Sequence, residues 1–105
     1  MSLGDRLKAF EAKFQQNLEL RFKVTARRNK LLGLWAAGKL GMVGGDAEVY
    51  AKEVVASDFD EPGDEDVLRK VLGDLNGKGL NISEKTVRQE MGALMDKAKG
   101  QFLEE

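Results

Sequence analysis

Leu3-Gly4-Asp5-Arg6-Leu7-Lys8-Ala9-Phe10-Glu11-Ala12-Lys13-Phe14 opens the chain with large apolar residues spaced four, three and four apart. That spacing follows the 3.6-residue turn of an α-helix. Leu3, Leu7, Phe10 and Phe14 therefore share one stripe, while Arg6, Lys8, Glu11 and Lys13 fall on other faces. The apolar pattern resumes at Leu18 and Phe22, and again at Leu31, Leu32, Leu34 and Trp35. Gly33 inside it costs about 1 kcal/mol relative to alanine. Residues 4–40 are expected to form one long helix or two collinear ones, bending at Asn17 or within Arg27-Arg28-Asn29-Lys30.

The same grammar continues downstream. Gly38, Gly41, Gly44 and Gly45 mark a helix end and a loop, because glycine accepts the left-handed conformation found there. Asp46 is expected to N-cap a second helix that buries Ala47, Tyr50, Ala51, Val54 and Val55. Residues 57–63 form an acidic turn with adjacent proline and glycine. Asp64 is expected to cap a third helix, with Glu65 and Asp66 in its first turn and Val67, Leu68, Val71, Leu72 and Leu75 on its buried stripe. Ser83 starts a fourth, with Ile82 and Val87 stapled across the cap and Met91, Leu94, Met95, Ala98 and Phe102 following.

No alternating strand pattern appears. The expected fold is all-α: a small four-helix bundle with a long first helix, in a single domain spanning 1–105. The stripes of the later helices suffice for one core, so the stripe at residues 3–14 has no assigned partner within the bundle.

Composition removes whole chemistries. The 105 residues include no histidine and no cysteine, which excludes thiolate nucleophiles, disulfides, Cys/His zinc sites and Ser-His-Asp or Cys-His triads. No side chain titrates near neutrality at its ordinary pKa. An enzymatic role is not expected. No apolar run approaches the roughly 20 residues of a membrane span, and the first residues lack a secretory signal, so the expected compartment is the cytoplasm.

Two acidic or glycine-rich stretches invite sharper readings and lose them. Gly73-Asp74-Leu75-Asn76-Gly77-Lys78-Gly79 superficially resembles a phosphate loop, but Gly79 stands where Ser/Thr is required and no strand precedes it. Asp58, Asp60, Glu61, Asp64, Glu65 and Asp66 lack the ligand spacing of a calcium loop and carry Pro62 inside it. A turn explains each, and no metal site is expected.

Charge is segregated. Residues 1–40 hold nine Lys/Arg against three acids, and residues 41–105 hold eight against fifteen. Halves of opposite sign either attract each other or face different partners. The densest basic stretch supplies Arg21, Lys23, Arg27, Arg28 and Lys30. A solvated face paired with the acidic helices is its first reading, protein docking the second and phosphate contact with nucleic acid the third. The overall pI near 5.6 disfavours the last. Phe22 and Trp35 read as core anchors. The stripe of Leu3, Leu7, Phe10 and Phe14 reads either as bundle packing or as an amphipathic helix that enters a groove on another protein. A membrane-surface helix is a further option for it.

The runs Phe10-Glu11-Ala12-Lys13-Phe14, Glu19-Leu20-Arg21-Phe22-Lys23 and Thr25-Ala26-Arg27-Arg28-Asn29-Lys30-Leu31-Leu32-Gly33-Leu34-Trp35-Ala36-Ala37 add a different kind of information. With Ala51-Lys52-Glu53-Val54-Val55 and Asp58-Phe59-Asp60-Glu61-Pro62-Gly63-Asp64, they resemble the inhibitory ζ subunits of the alphaproteobacterial F-type ATP synthase. The resemblance covers nearly the whole chain, most distinctively from Arg28 to Trp35. It implies a protein, monomeric when free, that inhibits ATP hydrolysis by the catalytic head of the synthase and so stands peripheral to the inner membrane. It further implies a mobile N-terminal inhibitory segment at residues 2–19 that becomes helical beside the rotor, and a helical bundle at 20–105. Leu3, Leu7, Phe10 and Phe14 would then be the apolar contacts, with Arg6 and Lys13 beside them and the 21–30 basic residues as a secondary docking patch. No cofactor is required. Weak adenine-nucleotide binding is also implied, without a motif that places it. A nucleotide sensor and a nucleic-acid-binding module are the alternatives to the inhibitor.

Overall fold

Asn17 decides where the first helix stops. Its backbone is extended (φ −108°, ψ 105°), its N–H donates to the Lys13 carbonyl at 2.9 Å, and its side chain accepts from the Leu20 N–H at 3.0 Å. One residue thus closes helix α1 (Leu3–Gln16) and caps helix α2 (Leu18–Lys39). The alternative bend at residues 27–30 is absent, and α2 runs through them unbroken. The computed structural model describes residues 2–59 and 63–104. Within them lie five α-helices rather than four, and no strand. The extra helix is the amino-terminal third of the expected long one.

Helix α2 is the spine. Gly41 adopts φ +80°, which only glycine takes without strain, and so turns the chain out of α2 toward helix α3 (Gly44–Ala56). Helix α3 begins two residues before the expected cap. Val43 stands at its N-cap position, and Asp46 lies inside the first turn, where its charge still favours the helix dipole. Gly33 sits where α2 and α3 touch. A Cβ there would lie 2.6 Å from the Ala51 Cα and 3.1 Å from the Ala51 Cβ. The glycine that looked like a tolerated flaw is therefore what lets the two backbones approach.

A 3-10 turn (Ser57–Phe59) follows α3. The central part of the expected acidic turn, residues 60–62, lies outside the described residues. Helix α4 (Glu65–Gly77) has Asp64 at its N-cap position, but the Asp64 side chain makes no cap bond. Arg28 takes that carboxylate instead. Gly73 and Gly77 of the phosphate-loop look-alike lie inside α4. The turn that follows α4 is closed by the Asn76 side chain, which donates to the Ile82 carbonyl at 3.1 Å and accepts from the Ile82 N–H at 2.7 Å. Ser83 caps helix α5 (Glu84–Glu104) as expected, its hydroxyl accepting from the Thr86 N–H at 3.1 Å.

The core is drawn from α2 to α5: Leu32, Ala36 and Ala37; Tyr50 and Val54; Val67, Leu68, Val71 and Leu75; Val87, Met91 and Leu94. Trp35 and Ile82 pack half-buried against it. The Tyr50 hydroxyl donates to Asp74 at 2.8 Å, and burial beside that carboxylate pushes its pKa well above the ordinary value. One expected anchor fails. Phe22 is 68% exposed, because its position on α2 lies away from the Val24–Arg28–Leu32 face that the bundle covers.

Candidate functional site

Helix α1 is well formed yet contributes nothing to the core. Ser2 caps it by accepting from the Asp5 N–H at 3.2 Å, and none of its residues is buried. Leu3 and Leu7 are 62% and 49% exposed. Phe10 and Phe14 are half-buried, turned toward the last turns of α5. Arg6 donates to the Leu103 carbonyl at 3.3 Å, Lys99 reaches both Glu11 oxygens at 3.2 Å, and the same ammonium lies 4.4 Å from the centre of the Phe14 ring. Helix α1 thus runs opposite to α5 along its carboxyl end. Lys13 is exposed. The structure therefore grades the expected contact set: Leu3 and Lys13 are exposed, Leu7 is half-exposed at the edge of an open pocket against α5, and Phe10, Phe14 and Arg6 engage α5.

The basic stretch does not stay together. Arg28 is 2% exposed, its Nη2 donating to Asp64 at 2.7 Å and its Nε to the Asn29 side chain at 2.8 Å. Arg27 donates to Gln101 at 2.8 Å and lies 4.7 Å from the Phe102 ring centre. Lys23 pairs with Glu19 at 3.0 Å, one turn back. Arg21 and Lys30 are exposed, but nine helical positions separate them, which at 100° per residue puts them on opposite sides of α2. A phosphate backbone needs several cations on one face; Lys23, Arg27 and Lys30 share one side of α2, but Lys23 is paired with Glu19, Arg27 is bonded to Gln101 and Arg28 is buried.

What the sequence reading passed over is the polar network around Arg28. Asn29 is 1% exposed and donates to Asp58 at 3.0 Å, so one pair of adjacent α2 residues holds both sides of the acidic segment between α3 and α4. Burial holds the Asp58 carboxyl above its ordinary pKa, outweighing the Asn29 hydrogen bond and the Arg28 charge that pull it down. Asp66, also buried, bonds Arg69 through one oxygen while the other has no partner among the described residues. The signal was present: Arg28 stands midway between Val24 and Leu32 at four-residue spacing, on the covered face of α2. Leu18 and Phe22, 57% and 68% exposed, were also missed as surface. Phe22 borders an open groove of about 410 Å³ with Ala26, Val55 and Asp58.

Among the described residues no group of three or more acidic side chains is placed to hold a metal ion, and no helix is long and apolar enough to cross a membrane. The family model for ATPase inhibitor subunit zeta matches residues 1–101. The chain belongs to that family. A protein solved by solution NMR, 53% identical, shares the fold with a TM-score of 0.73 over 81% of this chain and 96% of that one. No curated protein matches. The zeta family match thus covers α1 to α4 and most of α5, and makes a regulatory role the coarse assignment.

Proposed function

We propose that this protein inhibits ATP hydrolysis by the F-type ATP synthase, and that α1 is the element that enters the interface of a catalytic subunit beside the rotor. The family assignment supports the target. The observation that carries the role of α1 is its independence: a complete, capped helix with leucines exposed and no residue in the core. Such a helix can leave the bundle and enter a groove without unfolding anything behind it.

Magnitudes set limits on that binding. Leu3, Leu7, Phe10 and Phe14, fully buried, would each contribute about 1.5–3 kcal/mol. Association costs about 4 kcal/mol or more before any surplus appears, and a micromolar complex needs about 8 kcal/mol. Four anchors therefore reach that range only if all are covered. Tighter inhibition draws on further exposed groups, and Leu18 and Phe22, exposed at the start of α2, are available for it. Inhibition is steric, so the lack of histidine and cysteine is no obstacle to it.

The test is a chain lacking residues 2–16, cut before Asn17 so that α2 keeps its cap. It should melt within a few degrees of the full-length protein and fail to inhibit ATP hydrolysis by a synthase stripped of its own inhibitor. Full inhibition by the shortened chain would place the activity elsewhere.

A further inference from the structure

Part of the apolar side of α1 is held by the bundle itself. Lys99 grips both oxygens of Glu11 at 3.2 Å and lies 4.4 Å from the Phe14 ring centre, and Arg6 bonds the Leu103 carbonyl at 3.3 Å. The α5 end that does this is itself fixed to α2, by Arg27 on Gln101 and over Phe102. Yet the contact is loose. A cavity of about 430 Å³ remains between the helices, bordered by Leu7, Phe10, Asp96 and Gly100, and no α1 residue is buried. The Glu11 side chain is 47% exposed, so its ion pair is partly screened. Few packed contacts and solvent-open polar bonds mark an element that opens easily. Asn17, a single extended residue bonded to both neighbouring helices, is the joint on which it would swing.

We propose that the α1–α5 contact is an autoinhibitory latch: Lys99 holds Glu11 and Phe14 so that Phe10 and Phe14 are withheld from the partner until α1 is released about Asn17. This deepens the function proposed above and rests on it. Leu3 remains outside as the first contact and Leu7, at the rim of the cavity, is half-available, while the aromatic pair becomes available only on release. A latched helix lowers the apparent affinity for the partner by the fraction of chains that are open. Weakening the latch should therefore strengthen inhibition, the opposite of what loss of a binding residue would do.

The chain has no cysteine, so Ala12→Cys and Lys97→Cys, both at exposed positions, give one defined pair of spin labels on the full-length protein. The parent should show a short, narrow distance distribution and Lys99→Glu a longer, broader one. Adding Glu11→Lys to Lys99→Glu should recover most of the short population. Without labels, Lys99→Glu should half-inhibit the synthase at a concentration about five- to tenfold lower than the parent, with Lys99→Gln in between. An unchanged distance in Lys99→Glu would overturn the latch, whatever α1 does at the synthase. A lengthened distance with unchanged or weaker inhibition would overturn its autoinhibitory role. If neither chain inhibits, the proposed function fails and the masking role with it, while the distances still decide whether Lys99 holds α1.

Discussion

Helices α1 and α4 are nearly the same length, 14 and 13 residues, and both present an apolar stripe at helical spacing. Helix α4 buries Asp66, Val67, Leu68, Val71 and Leu75, and α1 buries nothing. Amphipathic pattern therefore says that a helix has a face to cover, not which surface covers it. In α4 the cover is α2, α3 and α5. In α1 it is a partial contact with the end of α5, leaving Leu3 and Leu7 in water. One helix spends its stripe on stability, and the other, on the function proposed above, keeps it for a partner.

The sharpest way to break that contrast is to cut both stripes. Leu75→Ala, at a fully buried position, should destabilise by about 2–5 kcal/mol. Leu7→Ala in α1 should stay within about 0.5 kcal/mol, as surface substitutions do. Chemical denaturation measures both, and equal losses would mean that α1 belongs to the cooperative core. Gly33→Ala ranks next. Helix propensity favours alanine by about 1 kcal/mol, but the new methyl would meet the Ala51 backbone at 2.6 Å. Forcing α2 and α3 apart costs about 1–3 kcal/mol, so a net loss is expected, and a raised melting temperature would show that the helices yield.

The smallest effect concerns the acidic segment beside α4. The folded-state pKa of Asp58 is raised by burial, so the folded chain binds that proton more tightly than the unfolded chain. The stability this contributes is full below the unfolded pKa and is lost as pH rises through the folded one. Asp58→Asn keeps an oxygen for Asn29 and removes the titration. The native protein should gain stability relative to Asp58→Asn as pH falls from 7 toward the upper carboxylate range. A difference that stays constant with pH would contradict the assignment.

Much of this architecture was legible in the sequence. The apolar stripes of α3, α4 and α5, the Ser83 cap and the candidate break at Asn17 follow from local rules that tertiary structure did not override. The errors lie where a side chain chose a distant partner. Local rules make Asp64 a cap, because its near neighbours are helix N–H groups, but Arg28, 36 residues away, takes it. Arg28 was counted with the basic surface because charge is normally exposed, and only its register with Val24 and Leu32 marks it as interior. Phe22 was assigned to the core because aromatic residues usually go there. In the candidate site, the stripe itself was legible. Its gradation from an exposed Leu3, through Leu7 at the pocket rim, to the half-buried Phe10 and Phe14 was not, since that depends on where α5 ends.

The most direct test of the central claim uses point changes in the intact chain. Leu3→Asp with Leu7→Asp alters the two most exposed positions of the stripe, neither of them buried, so the melting temperature should stay within a few degrees of the parent. In a titration of ATP hydrolysis by an inhibitor-stripped synthase, losing two apolar anchors should raise the half-inhibitory concentration at least about tenfold. Unchanged inhibition by the doubly substituted, folded protein would contradict the assignment of the outward face of α1 as the working surface.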